Sequence, residues 1–167
     1  MAMLLVMNAQ NSFLSKSGTV YMGEKAEILK IRLKDFISGF EGKRVFSKEL
    51  HPMGDKFFGG EKTHSIPTSP DTLIIPELKP FVDNVVEKTR YDAFYKTTLE
   101  SFLAREKVKA ITLMGVETHT SVLFTAEELR NRGFEVKVIE PCTMSTDNYM
   151  HNYAISLMRN SLGVDVE

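Results

Sequence analysis

Ser121, Lys88 and Asn8 carry side chains that together could bind a carbonyl group. Ser121 offers a hydroxyl, Lys88 a positive charge and Asn8 an amide. A serine hydroxyl is a weak nucleophile until a neighbouring base takes its proton, and an asparagine amide is not a useful base. Ser121 has no obvious activator in the sequence. These residues therefore predict a polar binding site more readily than an efficient hydrolytic one.

Each of these side chains also has an ordinary structural explanation. Asparagine is common where strands end and serine where helices begin, because both hydrogen-bond to the local backbone. Lysine is most often a surface cation. Phe13 and Phe94 are candidates both for stacking on a ligand and for packing in the core. Residue type leaves these alternatives open, so the position of each residue in the fold must decide.

An alternation of strands and helices positions these segments. Short apolar runs predict buried strands, and apolar residues at helical spacing predict helices. The strands are expected at 3–8, 44–48, 81–90, 109–115, 135–140 and, at an edge, 164–166, and the helices at 23–40, 98–105, 119–132 and 147–160. The long stretch 49–80 has no periodicity, which is typical of a functional loop.

This order predicts an α/β fold, a three-layer α/β/α sandwich around a mostly parallel, doubly wound sheet of five to six strands. Ligands of such folds bind beyond the carboxyl ends of the strands, near the point where strand order reverses. Asn8, Lys88 and Ser121 follow the first, third and fourth strands. We expect these strands to be neighbours and the three side chains to face one pocket.

Length and composition limit the classes of protein. The chain has 167 residues, 43% of them hydrophobic, which fits a single domain over 1–167. Lys and Arg total 21 against 22 for Asp and Glu, so neither nucleic acid nor an anionic membrane is an expected partner. No apolar run could span a bilayer and no basic leader is seen, which favours the cytoplasm. The single cysteine, Cys142, is expected to be a small buried residue.

Three segments resemble the isochorismatase-like, or cysteine hydrolase, superfamily, which includes nicotinamidases and N-carbamoylsarcosine amidohydrolases. The family's first strand ends in Asp-Met-Gln-Asn-Asp-Phe, its lysine lies in a second segment, and its nucleophile lies in a turn before a helix. The matching segments here are LLVMNAQNSF, VVEKTRYDAFYKTTL and GVETHTSVLFTAEELRNRG. The resemblance covers most of the chain and implies the same fold.

The resemblance implies a degenerate catalytic triad. The family's aspartate, lysine and cysteine fall on Asn8, Lys88 and Ser121, so only the lysine is kept. Ala9 and Ser12 also depart from the first-strand motif, which argues against substitutions engineered to trap a substrate. A positioned base is typically worth about 10²–10⁴ in rate. The resemblance therefore implies a catalytically weak or inactive protein, in which an uncompensated Lys88 favours a small polar or anionic ligand.

The family also implies an oxyanion site and a metal site. The first would use the backbone at Val116, Glu117 and Ser121, with a cis peptide bond between Val116 and Glu117. The second would use Glu49, His51 and His64, which resemble the Asp-x-His and later histidine that hold a divalent ion in nicotinamidases. Two imidazoles and a carboxylate suffice for zinc with an open position. Metal-free amidases of the family keep similar histidines as pocket walls, so both interpretations stay open.

Two hypotheses about function follow. The first is a degenerate family member that binds a small ligand or acts through assembly. The second is an active hydrolase of a small amide or ester that uses a metal-bound water at Glu49, His51 and His64, with Lys88 stabilising the oxyanion. No cofactor is expected other than such a divalent metal, for example zinc. Family members are commonly dimers or tetramers, so a homo-oligomer is also expected.

Overall fold

The structure, a computed structural model, describes residues 1–58 and 64–167. Its strands are β1 Ala2–Met7, β2 Lys43–Glu49, β3 Asn84–Lys88, β4 Ala110–Val116, β5 Glu135–Met144 and β6 Asp165–Val166. Its α-helices are α1 Asn11–Leu14, α2 Lys25–Ser38, α3 Leu99–Arg105, α4 Leu123–Asn131 and α5 Asn148–Asn160. None of the helices in the described residues is long and apolar enough to cross a membrane.

The strands form one six-stranded sheet in the order β3-β2-β1-β4-β5-β6, and every pairing is parallel. The predicted doubly wound α/β fold is thereby confirmed, and strand order reverses between β1 and β4. One expectation is wrong. The third strand is not a neighbour of the first, because β2 lies between them.

Helices cover both faces of the sheet. Alternate residues of β1 point to opposite sides, as the period of two in a strand requires. Met3 and Leu5 pack in a cluster with α3, α4 and α5, whereas Leu4 and Val6 pack in a second cluster with α1 and α2. In α2 the buried residues are Ala26, Leu29, Leu33 and Ile37, at the spacing of one helical face. This arrangement is the three-layer sandwich that the sequence predicts.

A glycine brings β4 close to β1 just before the candidate site. Gly115 has a φ of +106°, and a Cβ there would lie 2.1 Å from the carbonyl oxygen of Met7. Only glycine fits such a backbone approach without displacement. The peptide bond between Val116 and Glu117 is cis, as the resemblance implied.

Some boundaries differ from the expected ones. β3 begins later because Lys79–Phe81, which contains Pro80, forms a 3₁₀ turn. β5 continues to Met144, past a shift in its register with β4. The helix expected from 119 begins with a π-helical turn, Thr118–Val122. In the predicted functional loop, 59–63 lie outside the described residues.

Candidate functional site

Four polar side chains meet beyond the carboxyl ends of the strands. Asn8 follows β1, Glu49 ends β2, Lys88 ends β3, and Ser121 lies in the π-helical turn after β4. All four residues are buried. The structure thus brings Asn8, Lys88 and Ser121 together, and it adds Glu49 to them.

The Glu49 carboxylate is the centre of this group. Its Oε2 atom accepts hydrogen bonds from Asn8 Nδ2 at 2.6 Å, Lys88 Nζ at 3.2 Å and Ser121 Oγ at 3.3 Å. The Ser121 oxygen in turn accepts from Asn8 Nδ2 at 2.9 Å and from Lys88 Nζ at 3.0 Å. One carboxylate therefore contacts all three residues that the resemblance singled out.

This geometry corrects two expectations. Lys88 was expected to be uncompensated, but its ammonium is paired with Glu49 and also donates to the Arg90 carbonyl at 3.0 Å. Ser121 was expected to lack an activator, but its hydroxyl donates to a carboxylate. The physical reason is the strand order, because β2 lies beside β3 and Glu49 is in register with Lys88.

Gln10 holds Glu49 in place, a role that the sequence did not reveal. Its Nε2 donates to the Glu49 carbonyl at 3.0 Å, and its Oε1 accepts from the Glu49 N–H at 2.7 Å. The amide thereby satisfies both backbone groups of the last residue of β2. Gln10 lies in the first-strand motif, but nothing in the sequence relates it to a partner 39 positions away.

The charges of Glu49 and Lys88 stabilise each other. Burial alone would raise the pKa of the Glu49 carboxyl, but the Lys88 charge and the contacts with His51 and His64 hold that pKa well below its usual range. Burial lowers the pKa of the Lys88 ammonium, and the Glu49 carboxylate opposes that shift. The pair is therefore an ionised carboxylate beside an ammonium whose three hydrogens all have acceptors.

A cavity of about 180 Å³ opens beside this group. It is lined by Phe13, Val20, Glu49, His64, Tyr91, Glu117, Thr120 and Thr146. The edge of Phe13 meets the ring of His64, with 5.3 Å between centroids. Phe94 packs in the core cluster below α3 and α4 instead, with the Arg132 guanidinium 4.1 Å above its ring. Of the two aromatic candidates, the structure places only Phe13 at the cavity.

The positions expected for an oxyanion site lie at the same end of β4. Val116 is buried at the end of the strand, and Glu117 lines the cavity. The Glu117 carboxylate accepts from the Thr146 hydroxyl at 2.9 Å and from its N–H at 3.2 Å, which ties the loop after β5 to the cavity wall. Ser121 is buried and follows Thr120, which lines the cavity, in the π-helical turn, a local structure that is frequent at functional sites.

The other oxygen of Glu49 faces two histidines. Glu49 Oε1 lies 2.8 Å from His51 Nε2 and 3.7 Å from His64 Nε2. One potential ligand atom from each of the three residues lies within 4.8 Å of the others. Two imidazoles and a carboxylate are a donor set that zinc accepts, so these residues fit a divalent metal.

Cys142, His119 and His151 do not belong to this group. Burial raises the pKa of the Cys142 thiol, which lies in β5, to about 11. Such a thiol is a poor nucleophile. His151 Nδ1 lies 2.9 Å from the Thr118 hydroxyl, and His119 Nδ1 lies 2.8 Å from that of Ser145. These contacts indicate that both histidines support the turn before α4.

The isochorismatase domain matches residues 2–166 of this sequence. The chain belongs to the isochorismatase family. The crystal structure of nicotinamidase PncA from Bacillus subtilis superposes on it with a TM-score of 0.89, at 26% identity, covering 99% of this chain and 98% of that one. Nicotinamidase 3 of Arabidopsis thaliana is 29% identical over 90% of this chain and 76% of its own length.

A third similarity concerns the fold alone. The pyrazinamidase of Pyrococcus horikoshii, solved in complex with zinc, is 21% identical and has a TM-score of 0.86, with 99% of this chain and 98% of that chain covered. Within the isochorismatase family, this chain is therefore similar along its whole length to its relatives.

Proposed function

We propose that the protein is a weak hydrolase of a small amide or ester. The observation that supports this function best is the contact of the buried Ser121 hydroxyl with both the Glu49 carboxylate and the Lys88 ammonium, in a group of which Glu49 lines the cavity. A hydroxyl held between an acceptor and a cation is the arrangement in which a serine can act as a nucleophile. Serine in place of a thiol is the reason to expect slow turnover.

The cavity favours a small, flat and uncharged substrate. Its volume of about 180 Å³ is below the roughly 300–1,000 Å³ of sites for drug-sized ligands. Phe13, His64 and Tyr91 supply aromatic walls, which suit a ring. Two carboxylates, Glu49 and Glu117, also line it. Of the polar and anionic ligands that the sequence predicts, a neutral polar one is favoured, because Glu49 neutralises Lys88. Nicotinamide, suggested by the names of the relatives, is the first substrate to test.

Glu49, His51 and His64 would hold a divalent metal such as zinc. When bound, such an ion would supply a Lewis acid that polarises a carbonyl group. His64 would be one of the residues that hold the ion, and its ring lies against Phe13 at the cavity. Glu49 Oε1 faces the histidines and Oε2 contacts Ser121, so these residues would hold a metal without removing the contact between Glu49 and Ser121.

The test is an activity screen on protein prepared with and without zinc. Ammonia or acid release is measured with nicotinamide, pyrazinamide and small p-nitrophenyl esters. We expect slow release that Ser121→Ala abolishes. The matched variant Ser156→Ala changes an exposed serine of α5 and should leave the release unchanged. Metal analysis of wild type and His51→Ala reports occupancy separately. Absence of turnover on every substrate, with and without zinc, would contradict the proposed function.

A further inference from the structure

Glu49 places a carboxylate beside Ser121, where Asn8 supplies only an amide. Its side chain is 4% exposed, and its Oε2 lies within hydrogen-bonding distance of Asn8, Lys88 and Ser121. We propose that Glu49 is the catalytic base of this site and takes the proton of the Ser121 hydroxyl. This inference rests on the proposed hydrolase function. It assigns the role of the base to a residue at the end of β2, because Asn8, after β1, cannot act as one.

The hydrogen-bond directions support this role. The Ser121 oxygen accepts from the Asn8 amide and from the Lys88 ammonium, neither of which can take a proton from it in these states. Its own hydrogen is therefore left for Glu49 Oε2, at 3.3 Å. The proton has a direct path to the Glu49 carboxylate.

Asn8 complements Glu49 as a positioning residue. Its Nδ2 donates to Glu49 at 2.6 Å, and its Oδ1 accepts from the Ser47 hydroxyl at 3.2 Å. An aspartate at position 8 would place a second negative charge against the Glu49 carboxylate. The amide at position 8 and the carboxylate at position 49 thus form one compatible arrangement.

The length of the side chain allows one carboxylate to reach both sets of partners. Oε1 faces His51 at 2.8 Å while Oε2 faces Ser121. The two hydrogen bonds from Gln10 fix the backbone from which this side chain extends. An aspartate at position 49 would keep the carboxylate but shorten the side chain by one methylene, so that it could no longer reach both sets of partners from the same backbone position.

The reaction balances with water as the only co-reactant. Ser121 Oγ forms a bond to the carbonyl carbon while its proton passes to Glu49. The bond from that carbon to the leaving amine or alcohol then breaks, and the leaving group takes the proton from Glu49. Water attacks the acyl-serine ester, gives a proton to Glu49, and the acid leaves as Ser121 Oγ regains that proton. The net change is amide or ester plus water to acid plus amine or alcohol.

The experiment measures Ser121 reactivity directly. Wild type, Glu49→Gln, Glu49→Asp and Ser121→Ala are treated with methanesulfonyl fluoride in chelator, and peptide mass spectrometry gives the rate of sulfonylation at position 121. Hydrolysis of p-nitrophenyl acetate is followed in parallel. Glu87→Gln is the control, because Glu87 is an exposed carboxylate on β3 paired with Lys48 at 3.1 Å.

We expect Glu49→Gln to slow labelling by about 10²–10⁴, as removal of a positioned base does. Glu49→Asp should slow it by about 10², the effect of a misplaced catalytic group. Glu87→Gln should label at the wild-type rate. The double variant Asn8→Asp/Glu49→Gln returns the carboxylate to β1 and should label faster than Glu49→Gln. Thermal melts establish whether each variant is folded. If Glu49→Gln is not folded, the double variant is compared with wild type in its place.

The outcomes separate the two proposals. Labelling at Ser121 that depends on Glu49, without turnover of any substrate, overturns the hydrolase function and keeps Glu49 as the base. Turnover or labelling that persists at the wild-type rate in folded Glu49→Gln and Glu49→Asp overturns the role of Glu49 and keeps the hydrolase. A double variant that folds but labels no faster than Glu49→Gln also counts against the role. Wild type that neither turns over substrate nor labels at Ser121 overturns both.

Discussion

The amide of Asn8 donates to the carboxylate of Glu49 across 2.6 Å, joining the end of β1 to the end of β2 in the buried centre of the site. Both residues differ from those that the resemblance implies at their positions, and in the structure they are partners. A donor at position 8 is what a buried carboxylate at position 49 requires, because a carboxylate only accepts hydrogen bonds when it is ionised.

Asn8→Asp is therefore expected to destabilise the protein and not to restore activity. The change replaces a hydrogen bond to a charged group, worth about 1.5–3 kcal/mol, with repulsion between two carboxylates. Urea unfolding at pH 7 measures the loss. Asn148→Asp, at the exposed start of α5, is the control and should change stability little. Equal stability of Asn8→Asp and wild type would contradict the contact.

How far the sequence predicted this site depends on the level of structure. Asn8, Lys88 and Ser121 could be placed together because strand ends of a parallel sheet share one edge, and the motifs lay in register with the family. The three side chains meet although the strands were expected to be neighbours and β2 separates β3 from β1. The expectation that all three face one pocket stays a prediction, because Glu49 is the member of this group that lines the cavity.

Glu49 could not be placed at Ser121 in the same way. Its role depends on β2 lying between β3 and β1, and on a side chain long enough to reach past the histidines. The sequence grouped Glu49 only with His51 and His64. Phe94 shows the same limit. An aromatic side chain suits both a core and a cavity, and its residue type does not show that it packs in the core.

Lys88→Met should be among the most destabilising substitutions in the chain. It leaves the Glu49 carboxylate buried without its cation, which typically costs about 3–5 kcal/mol. Lys137→Met is the control, because its ion pairs with Asp165 and Glu167 are exposed and worth about 0–1 kcal/mol. Chemical denaturation measures both.

A double-mutant cycle then tests the pairing itself. Lys88→Met combined with Glu49→Gln removes both charges, so its cost should be well below the sum of the two single costs. Strict additivity of the two substitutions would show that the residues do not interact in solution.

Gln10→Ala should weaken the site without touching Ser121. It removes both hydrogen bonds to the Glu49 backbone and leaves a buried N–H and carbonyl unsatisfied, at about 1–3 kcal/mol each. We expect lower stability and slower sulfonylation of Ser121, since Glu49 loses its fixed position. Asn11→Ala, which removes a hydrogen bond to the Pro70 carbonyl, is the neighbouring control and should leave the labelling rate unchanged.

The last prediction concerns pH. The pKa of the Glu49 carboxyl in the folded protein is held well below its ordinary 4.5 by Lys88 and the two histidines, against the effect of burial. A depressed carboxyl pKa contributes stability that is present above the unfolded value and is lost as pH falls through the folded one. Wild type should therefore lose unfolding free energy below pH 4.5 more steeply than Glu49→Gln, so that the gap between them narrows in acid. Urea titrations in chelator from neutral to acidic pH measure that gap, with Glu87→Gln expected to follow wild type. A gap that stays constant or widens as the pH falls would mean that folding does not lower the pKa of the Glu49 carboxyl.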